Sequence, residues 1–545
     1  MTLKRLPALA VGLATAALLC VALWSWLGRP VAMPDGPRGI EGKIHCLSYT
    51  PYRGDDSPFD PDYTADPKRI DQDFAQLSAI TDCVRIYSTG NGLDATLPLA
   101  RKYGMKVLMG IWIGRSLEAN EEEIASAERL ARQYPDAIKA LIVGNEVLLR
   151  GEQQPEDLAA YVRRVKADTG LPVTYADVTD FWLKAPQELV DAVDFVTIHI
   201  LPYWENNPVS AEAGVAYLRS VEEEAARILH GKRIFIGETG FPSAGRQRDE
   251  AAPSLVAQAR YLREFMAYAS SIDLDYNLIE AFDQPWKRAL EGTAGGAWGV
   301  FTTDRHAKFN WQGPVSNYPD WQNRAALCTG IALLLLLWMA ARGSMDNLRI
   351  GAAAGVIAGA CATALLLQIE HSWIAMRSPF EAGIEALLFL QTLMLLTCLL
   401  PELTRAKEAA TPQAFSQVLA SLFKPSFTRE RLLGFIQLLS ICTALAVSLA
   451  LVFDQRYRDF PVAAYAPAAL GFALLYLTSG RKPAAADRRE EVLLATALIA
   501  CAVTIAISEG PQNIHALAWC GLNLAFALPF IRGWRKAVQS LILSK

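Results

Sequence analysis

Two glutamates follow buried, strand-like runs and could work as a pair. Glu146 ends the run IKALIVGNE (138–146), directly after Asn145, and Glu238 lies in RIFIGETG (233–240). Hydrolysis of a glycosidic bond requires one carboxylic acid that protonates the leaving oxygen and a second carboxylate that attacks the anomeric carbon or activates water. The pair is a candidate for this chemistry, with retention of configuration at a separation of about 5 to 5.5 Å and inversion at a wider one.

These runs belong to a repeating pattern between residues 36 and 321, where short apolar or β-branched runs alternate with amphipathic segments such as EEEIASAERLARQY. The eight predicted strands cover residues 42–49, 83–88, 106–113, 139–146, 172–178, 193–200, 233–240 and 275–282. Eight such units favour a closed (β/α)8 TIM barrel, whose functional residues come from the C-terminal strand ends. An open doubly wound sheet is the alternative, but no glycine-rich phosphate loop follows the first strand.

Polar and aromatic residues collect where the predicted strands end. Besides the two glutamates, the candidate site residues are Tyr49, Tyr87, Trp112, Asn145, His199, Tyr203, Glu280 and Trp286. Aromatic rings stack on the apolar faces of sugars while polar groups meet the hydroxyls, so this set predicts a carbohydrate cleft. Filling of the barrel interior is the alternative for Tyr87 and Trp112, and a structural contact with Arg85 or with neighbours of Glu238 is the alternative for Glu280.

His199 lies in the run VDFVTIHI and is expected to fix the site by hydrogen bonding. A metal is not expected, because the sequence shows no cluster of carboxylates and histidines at metal-ligand spacing around it. We also expect no cofactor.

Four motifs resemble glycoside hydrolase family 17. They are IVGNEVLLR, HILPYW, IFIGETGFPSAG and EAFDQPWK, in order at successive strand ends, and the resemblance covers most of residues 40–315. It implies a retaining (β/α)8 enzyme that acts on β-1,3-glucan. In that enzyme Glu146 is the general acid/base, Glu238 is the nucleophile and Asn145 contacts the 2-hydroxyl of the reacting sugar.

The same resemblance implies that Tyr203 donates a hydrogen bond to the nucleophile and that Trp286 stacks on a sugar. Bacterial relatives with fused membrane regions are similar to β-glucan synthases or glucanosyltransferases. The implied function therefore extends from hydrolysis to transfer of sugar chains.

Apolar runs flank the predicted barrel. Residues 6–27 follow two basic residues and predict an uncleaved signal anchor. About seven transmembrane helices are predicted at 325–341, 350–368, 382–400, 432–453, 461–478, 491–508 and 514–531. Basic residues in alternate connections place the N-terminus in the cytoplasm and the barrel outside the cytoplasmic (inner) membrane. The predicted domains are 1–35 (tip and anchor), 36–321 (barrel) and 322–545 (transmembrane).

The net charge of −4, with mixed signs in the barrel segment, excludes a nucleic-acid partner. Cys46 and Cys83 are the cysteines outside the apolar runs, and the sequence leaves open whether they are bridged or only buried. Glu385 lies inside an apolar run, with His515 and Gln437 as expected partners. An anchoring or assembly role of the transmembrane region is favoured over transport.

The leading prediction is a membrane-anchored retaining glycosidase or transglycosylase that acts on β-1,3-glucan outside the cytoplasmic membrane. The first alternative is a glucanosyltransferase or β-1,6-branching glucan synthase in the assembly of envelope or periplasmic glucan. A non-catalytic glucan receptor or export subunit is the second. The expected partners are β-glucan and the lipid bilayer, together with a glucan synthase or export complex.

Overall fold

The computed structural model of the protein describes residues 5–36, 43–343, 345–405, 408–421, 428–455, 458–479 and 488–531. Its contacts define two compact units: a barrel unit, Val31–Val315, and a helical unit, Met1–Pro30 with Ser316–Lys545. Gly42, which begins the first predicted strand, lies outside the described residues. So do several basic residues used for the predicted orientation, namely Lys4, Lys407, Lys424, Arg456, Arg481, Lys482, Arg532, Arg535 and Lys536.

The barrel unit contains eight parallel strands that close into a barrel in chain order, which confirms the predicted fold. The strands are β1 (Leu47–Ser48), β2 (Cys83–Ile86), β3 (Lys106–Ile111), β4 (Ile138–Asn145), β5 (Val173–Val178), β6 (Val196–His199), β7 (Ile234–Thr239) and β8 (Asp275–Leu278). The first and last strands are shorter than their predicted runs. Leu47 nevertheless pairs with Val84 on one side and Leu278 on the other, and this pairing closes the ring.

Amphipathic helices surround the strands. They are α2 (Pro67–Leu77), α3 (Thr96–Lys102), α4 (Leu117–Gln133), α5 (Pro155–Thr169), α6 (Thr179–Leu183), α7 (Gln187–Ala192), α8 (Ala211–Ile228), α9 (Leu255–Ser271) and α10 (Arg288–Glu291). In α4 the predicted apolar face is the buried one, with Ile124 and Leu130 in the core. Helix α4 begins after Ser116, whose hydroxyl accepts the backbone N–H of Ala119 and so satisfies one of the free donors of the first turn.

A disulfide joins Cys46, just before β1, to Cys83 at the start of β2. The bridge packs in an apolar cluster with residues from other strands of the barrel, among them Leu108, Ile142 and Phe235. The structure thereby settles the question that the sequence left open.

The helical unit contains α1 (Leu6–Leu27), α11 (Trp321–Arg342), α12 (Leu348–Ala375), α13 (Pro379–Leu403), α14 (Phe415–Ala420), α15 (Arg429–Phe453), α16 (Val462–Ser479), α17 (Arg489–Glu509) and α18 (Ile514–Ile531). Every predicted apolar run coincides with one of these helices, except that residue 461 precedes the start of α16. Among the described residues, six helices are long and apolar enough to cross a membrane, and α16 and α18 contain shorter apolar stretches.

Helix α1 packs against α12 through glycines. A methyl group added at Gly355 would lie 2.2 Å from the carbonyl oxygen of Gly12, and one added at Gly351 would lie 2.2 Å from that of Ala8. Small residues allow such close approach of helix backbones in an apolar environment. The first helix is therefore an integral part of the helical unit.

The expected pairing of Glu385 with His515 or Gln437 is wrong. Glu385 lies less than two turns into α13, where its carboxylate accepts a hydrogen bond from the Ser372 hydroxyl near the end of α12 (2.6 Å). Gln437 instead accepts from Tyr476 (3.1 Å).

Replacing Gly355 with Leu should disrupt the packing of α1 on α12, because the new side chain has no space beside the Gly12 backbone. Overpacking costs about 1–3 kcal/mol, so we expect a lower melting temperature of the purified full-length protein in detergent. The matched control is Gly330→Leu on α11, where an added Cβ meets no atom of the described residues within 4 Å. Equal melting temperatures for the two variants would contradict the packing argument.

Candidate active site

Three side chains meet at the C-terminal ends of β4, β6 and β7. Glu146, His199 and Glu238 each offer a ligand-type atom within 4.8 Å of the other two. The Nδ1 atom of His199 lies 2.9 Å from Oε1 of Glu146, and its Nε2 atom lies 3.8 Å from Oε1 of Glu238. The structure therefore brings the two predicted glutamates together, with the histidine between them.

The chain reaches Glu146 through an unusual backbone turn. Gly144 has φ +86°, and a Cβ there would lie 2.6 Å from a methyl group of Val147. Glu146 itself has φ +52°, a conformation that costs a non-glycine residue of order 1–3 kcal/mol. Its N–H donates to the carbonyl of Ala176 (2.7 Å), which ties the turn to β5. The sequence Gly-Asn-Glu thus carries the carboxylate from the end of a buried strand into the site.

Arg85, on β2, crosses the site from the opposite side. It is 1% exposed, and its guanidinium donates to Glu238 Oε1 (3.2 Å), to the Gly237 carbonyl (2.8 Å) and to Asn145 Oδ1 (2.5 Å). Sequence reasoning did not select this residue for the site. A charged residue inside the buried run CVRIYS was the available signal, because arginine is almost never fully buried without a partner.

Asn145 is oriented by Arg85. Because its Oδ1 accepts from the guanidinium, its Nδ2 is the atom directed to other acceptors.

Tyr87 donates its hydroxyl proton to Glu238 Oε1 (2.8 Å). Its role is therefore not limited to filling the barrel interior. Burial raises the pKa of Glu238, but the charges of His199 and Arg85 and the hydrogen bond from Tyr87 outweigh it and hold this pKa below the ordinary value of a glutamate. Glu238 is therefore a buried carboxylate that stays ionised.

The hydrogen bond to Glu238 that was expected from Tyr203 comes from Tyr87 instead. Tyr203 is buried against the rings of Phe241 and Trp298 and donates its hydroxyl proton to the carbonyl of Arg246 (2.8 Å). This hydrogen bond holds the loop that follows β7.

The assignment of Tyr49 to a carbohydrate cleft is also wrong. Its side chain is fully buried beside Phe74, and its hydroxyl donates to Asp73 (3.1 Å). Asp73 in turn pairs with Arg53 and Arg305. This buried ion cluster fixes the loops around β1 rather than facing a ligand.

Glu280 is 2% exposed and pairs with Lys287, not with Arg85, at 3.0 Å between Oε2 and Nζ. Its other oxygen, Oε1, is buried with no hydrogen-bond partner in the described part of the chain. Burial raises the pKa of Glu280 to about 7 although the charge of Lys287 opposes the shift.

Two aromatic groups, each with one exposed ring, lie near the strand ends. Trp286 contacts Tyr52 and the exposed ring of Phe59, with ring centroids 5.9 and 5.7 Å away. Trp112, after β3, is 41% exposed and carries the guanidinium of Arg150 on its ring at 4.3 Å. Because of this exposure, the barrel-filling alternative for Trp112 is wrong.

The cluster of Glu146, His199 and Glu238 could hold a divalent cation by ligand type and spacing. The sequence spacing does not show this cluster because its members come from three different strands. However, Glu238 Oε1 already accepts from Arg85 and Tyr87, so a cation bound there would lie against a guanidinium. The donor set fits two carboxylates that act together on a substrate better than it fits a metal.

The family comparison agrees with this geometry. Residues 46–299 match the BtgE/BtgC glycoside hydrolase domain. This part of the chain is a glycoside hydrolase domain. The resemblance to family 17 is thus confirmed at the level of a glycoside hydrolase domain, whose relatives include glucan 1,3-beta-glucosidases.

Similar proteins include a glucan 1,3-beta-glucosidase of Arthroderma benhamiae, 27% identical over 276 residues, which are 47% of this chain and 88% of the relative. A glucan 1,3-beta-glucosidase of Schizosaccharomyces pombe is 26% identical over 253 residues, 44% of this chain and 78% of the relative. Among solved structures, the family 17 beta-1,3-glucanosyltransferase of Rhizomucor miehei is 27% identical, covers 49% of this chain and 95% of its own, and has a TM-score of 0.43.

The raised pKa of Glu280 predicts a carboxyl group that stays protonated up to about pH 7 and ionises above it. Infrared difference spectra of the full-length protein should show a protonated carboxyl band that disappears through this range and is missing in Glu280→Gln. Identical spectra for the two proteins across the titration would contradict the burial argument.

Proposed function

We propose that the protein is a membrane-anchored retaining glycosidase of β-1,3-glucan, with Glu146 as general acid/base and Glu238 as nucleophile. The separation of the two carboxylates carries the proposal. One oxygen of each carboxylate lies within 4.8 Å of an oxygen of the other, so the two groups are close enough to act on one glycosidic bond. Retaining glycosidases hold their carboxyl groups about 5–5.5 Å apart, whereas inverting enzymes leave roughly 6.5–9.5 Å for a water molecule.

The surroundings of the two glutamates support this division of roles. A nucleophile must be ionised, and Glu238 is held so by Arg85, His199 and Tyr87. Both donors to Glu238 lie on Oε1, so we assign the attack to Oε2. Glu146 has a side chain that is 25% exposed and a hydrogen bond to His199, so it can exchange a proton with solvent.

In the first step, Glu238 forms a bond to the anomeric carbon as the glycosidic C–O bond breaks, and the proton of Glu146 goes to the leaving oxygen. In the second step, ionised Glu146 takes a proton from a water molecule or a sugar hydroxyl. The oxygen of that group attacks the anomeric carbon and releases Glu238. Arg85 and His199 take part by positioning the carboxylates.

The relatives described above are glucan 1,3-beta-glucosidases, which favours β-1,3-glucan as the substrate. We assign Nδ2 of Asn145 to the 2-hydroxyl of the reacting sugar and the buried Oε1 of Glu280 to another sugar hydroxyl. Trp286, bordered by Tyr52 and Phe59, offers a ring for stacking. A non-catalytic receptor would not need a buried, ionised carboxylate beside a second glutamate.

We place the barrel outside the cytoplasmic membrane. The apolar helices support membrane association, and the disulfide between Cys46 and Cys83 suits an oxidising compartment. Trp26 and Trp373 are 60% and 71% exposed near the helix ends that the proposed topology puts on the outer face. Tryptophan is enriched at membrane interfaces. A glucan synthase or export complex remains a predicted partner.

Azide distinguishes the two glutamates. Glu146→Ala should cleave β-1,3-gluco-oligosaccharides roughly 10²–10⁴-fold more slowly, the usual contribution of a general acid/base. With an aryl β-glucoside, added azide should restore turnover and give a β-glycosyl azide, since azide needs no base. Glu238→Ala should give the α-glycosyl azide, because azide then replaces the nucleophile. NMR identifies the anomers, and exchanged anomers or retained wild-type activity would refute the assignment.

Tyr87→Phe removes the hydroxyl donor to Glu238, so the pKa of this carboxyl should rise. Because the ionised form attacks, the acid limb of the pH profile of kcat/KM should move to higher pH, and kcat/KM should fall roughly tenfold or more, as for a lost charge-assisted hydrogen bond. Tyr203→Phe is the matched control, and its acid limb should stay in place. A shift in the control but not in Tyr87→Phe would contradict the observed hydrogen bonds.

A further inference from the structure

One face of the Trp112 ring is covered by a guanidinium that other groups hold in place. Arg150 lies 4.3 Å from the ring centroid, and its Nη2 donates to the carbonyl of Ile113 (2.8 Å). Glu152 pairs with the same guanidinium at 2.7 Å. Since Trp112 is still 41% exposed, its remaining surface offers a flat apolar area at the end of β3.

Arg150 also contacts the turn that carries Glu146. Its Nη1 donates to the carbonyl of Asn145, and its backbone N–H donates to the carbonyl of Glu146 (2.9 Å). These contacts hold the residue whose φ is +52°. One arginine therefore fixes the indole ring and the backbone of the candidate acid/base together.

We propose that Arg150 is a positioning residue that joins Glu146 to a sugar-binding platform on Trp112, and that this platform binds the acceptor sugar in a transfer reaction. The inference rests on the proposed function. The ligand expected on the Trp112 platform is a β-linked gluco-oligosaccharide with a free hydroxyl.

The order of the strands supports the assignment of Trp112 to the side of the site where the acceptor sugar binds. A general acid/base lies next to the oxygen that joins the donor sugar to the leaving sugar, and the acceptor later occupies the same place. Strand β3, which ends before Trp112, pairs with β4, which leads to Glu146. The other aromatic group, around Trp286, follows β8, which pairs with β7 of Glu238. The two groups thus flank the carboxylate pair, one on the side of each glutamate.

A bound acceptor favours transfer over hydrolysis. Water needs no binding surface, whereas a sugar hydroxyl competes with water only when its ring is held near the anomeric carbon. A rigid platform fixed to the acid/base lowers the entropy cost of that placement. In the transfer step, the acceptor oxygen bonds to the anomeric carbon, its proton goes to Glu146, and Glu238 leaves.

The test uses the full-length protein in detergent, an aryl β-laminaribioside as donor and laminaribiose as acceptor. The small aryl leaving group makes formation of the glycosyl-enzyme independent of a sugar on the acceptor side. Mass spectrometry of the products gives the ratio of transfer to hydrolysis, and varied laminaribiose gives the acceptor KM. The variants are Arg150→Met, Arg150→Lys and Trp112→Leu.

We expect Arg150→Met and Trp112→Leu to lower the ratio of transfer to hydrolysis roughly tenfold and to raise the acceptor KM, the pattern of lost acceptor binding. Arg150→Lys should fall between wild type and Arg150→Met, because lysine keeps the charge but lacks the planar fork. The matched control is Arg101→Met, which removes a guanidinium 4.7 Å from the ring of Tyr134 on the outer helices. Its ratio should equal that of the wild type.

An unchanged ratio in Trp112→Leu overturns the inference, and so does an equal loss in Arg101→Met. If Arg150→Met does not fold, as judged by its melting temperature, Trp112→Leu decides the question alone. A wild-type protein that releases no aryl group would instead refute the proposed function, so the two failures are distinguishable.

Discussion

A guanidinium buried inside the barrel organises the candidate active site. Placing a charge out of contact with water is costly unless it is paired and hydrogen-bonded. Arg85 meets that requirement with Glu238, Asn145 and the Gly237 carbonyl. These partners come from β4 and β7, so the strands must present them at fixed positions for the arginine to be buried at all. The ionised state of Glu238 follows from the same arrangement.

A second arginine, Arg150, holds the turn that leads from β4 to Glu146. Asn145 accepts from Arg85 through its side chain and from Arg150 through its backbone carbonyl. Glu146 therefore follows a residue fixed on two sides, which stabilises its left-handed backbone conformation. The proposed chemistry depends on this precision, because a general acid/base must stay within hydrogen-bond reach of the reacting oxygen.

The sequence predicted the architecture well because burial leaves long local signals. Each of the eight predicted strand runs contains a strand of the barrel, and each of the eight apolar runs corresponds to a helix. These elements are predictable because their periodicity and length are set by residues that are close together in the sequence. The side-chain partners were less predictable. Tyr49, Tyr87 and Tyr203 all follow strands, yet the first is buried on an ion cluster, the second donates to Glu238 and the third donates to Arg246. Such differences arise from contacts between residues far apart in the chain, which no local pattern encodes.

The most direct measurement is to trap the covalent intermediate. A 2-deoxy-2-fluoro-β-glucosyl or laminaribiosyl fluoride slows release of the glycosyl-enzyme, so the protein mass should rise by the mass of one fluoroglycosyl group per chain. Peptide mapping should then find the sugar on Glu238. A label on another residue, or an enzyme that cleaves β-1,3-glucan with inversion and accumulates no adduct, would contradict the retaining mechanism.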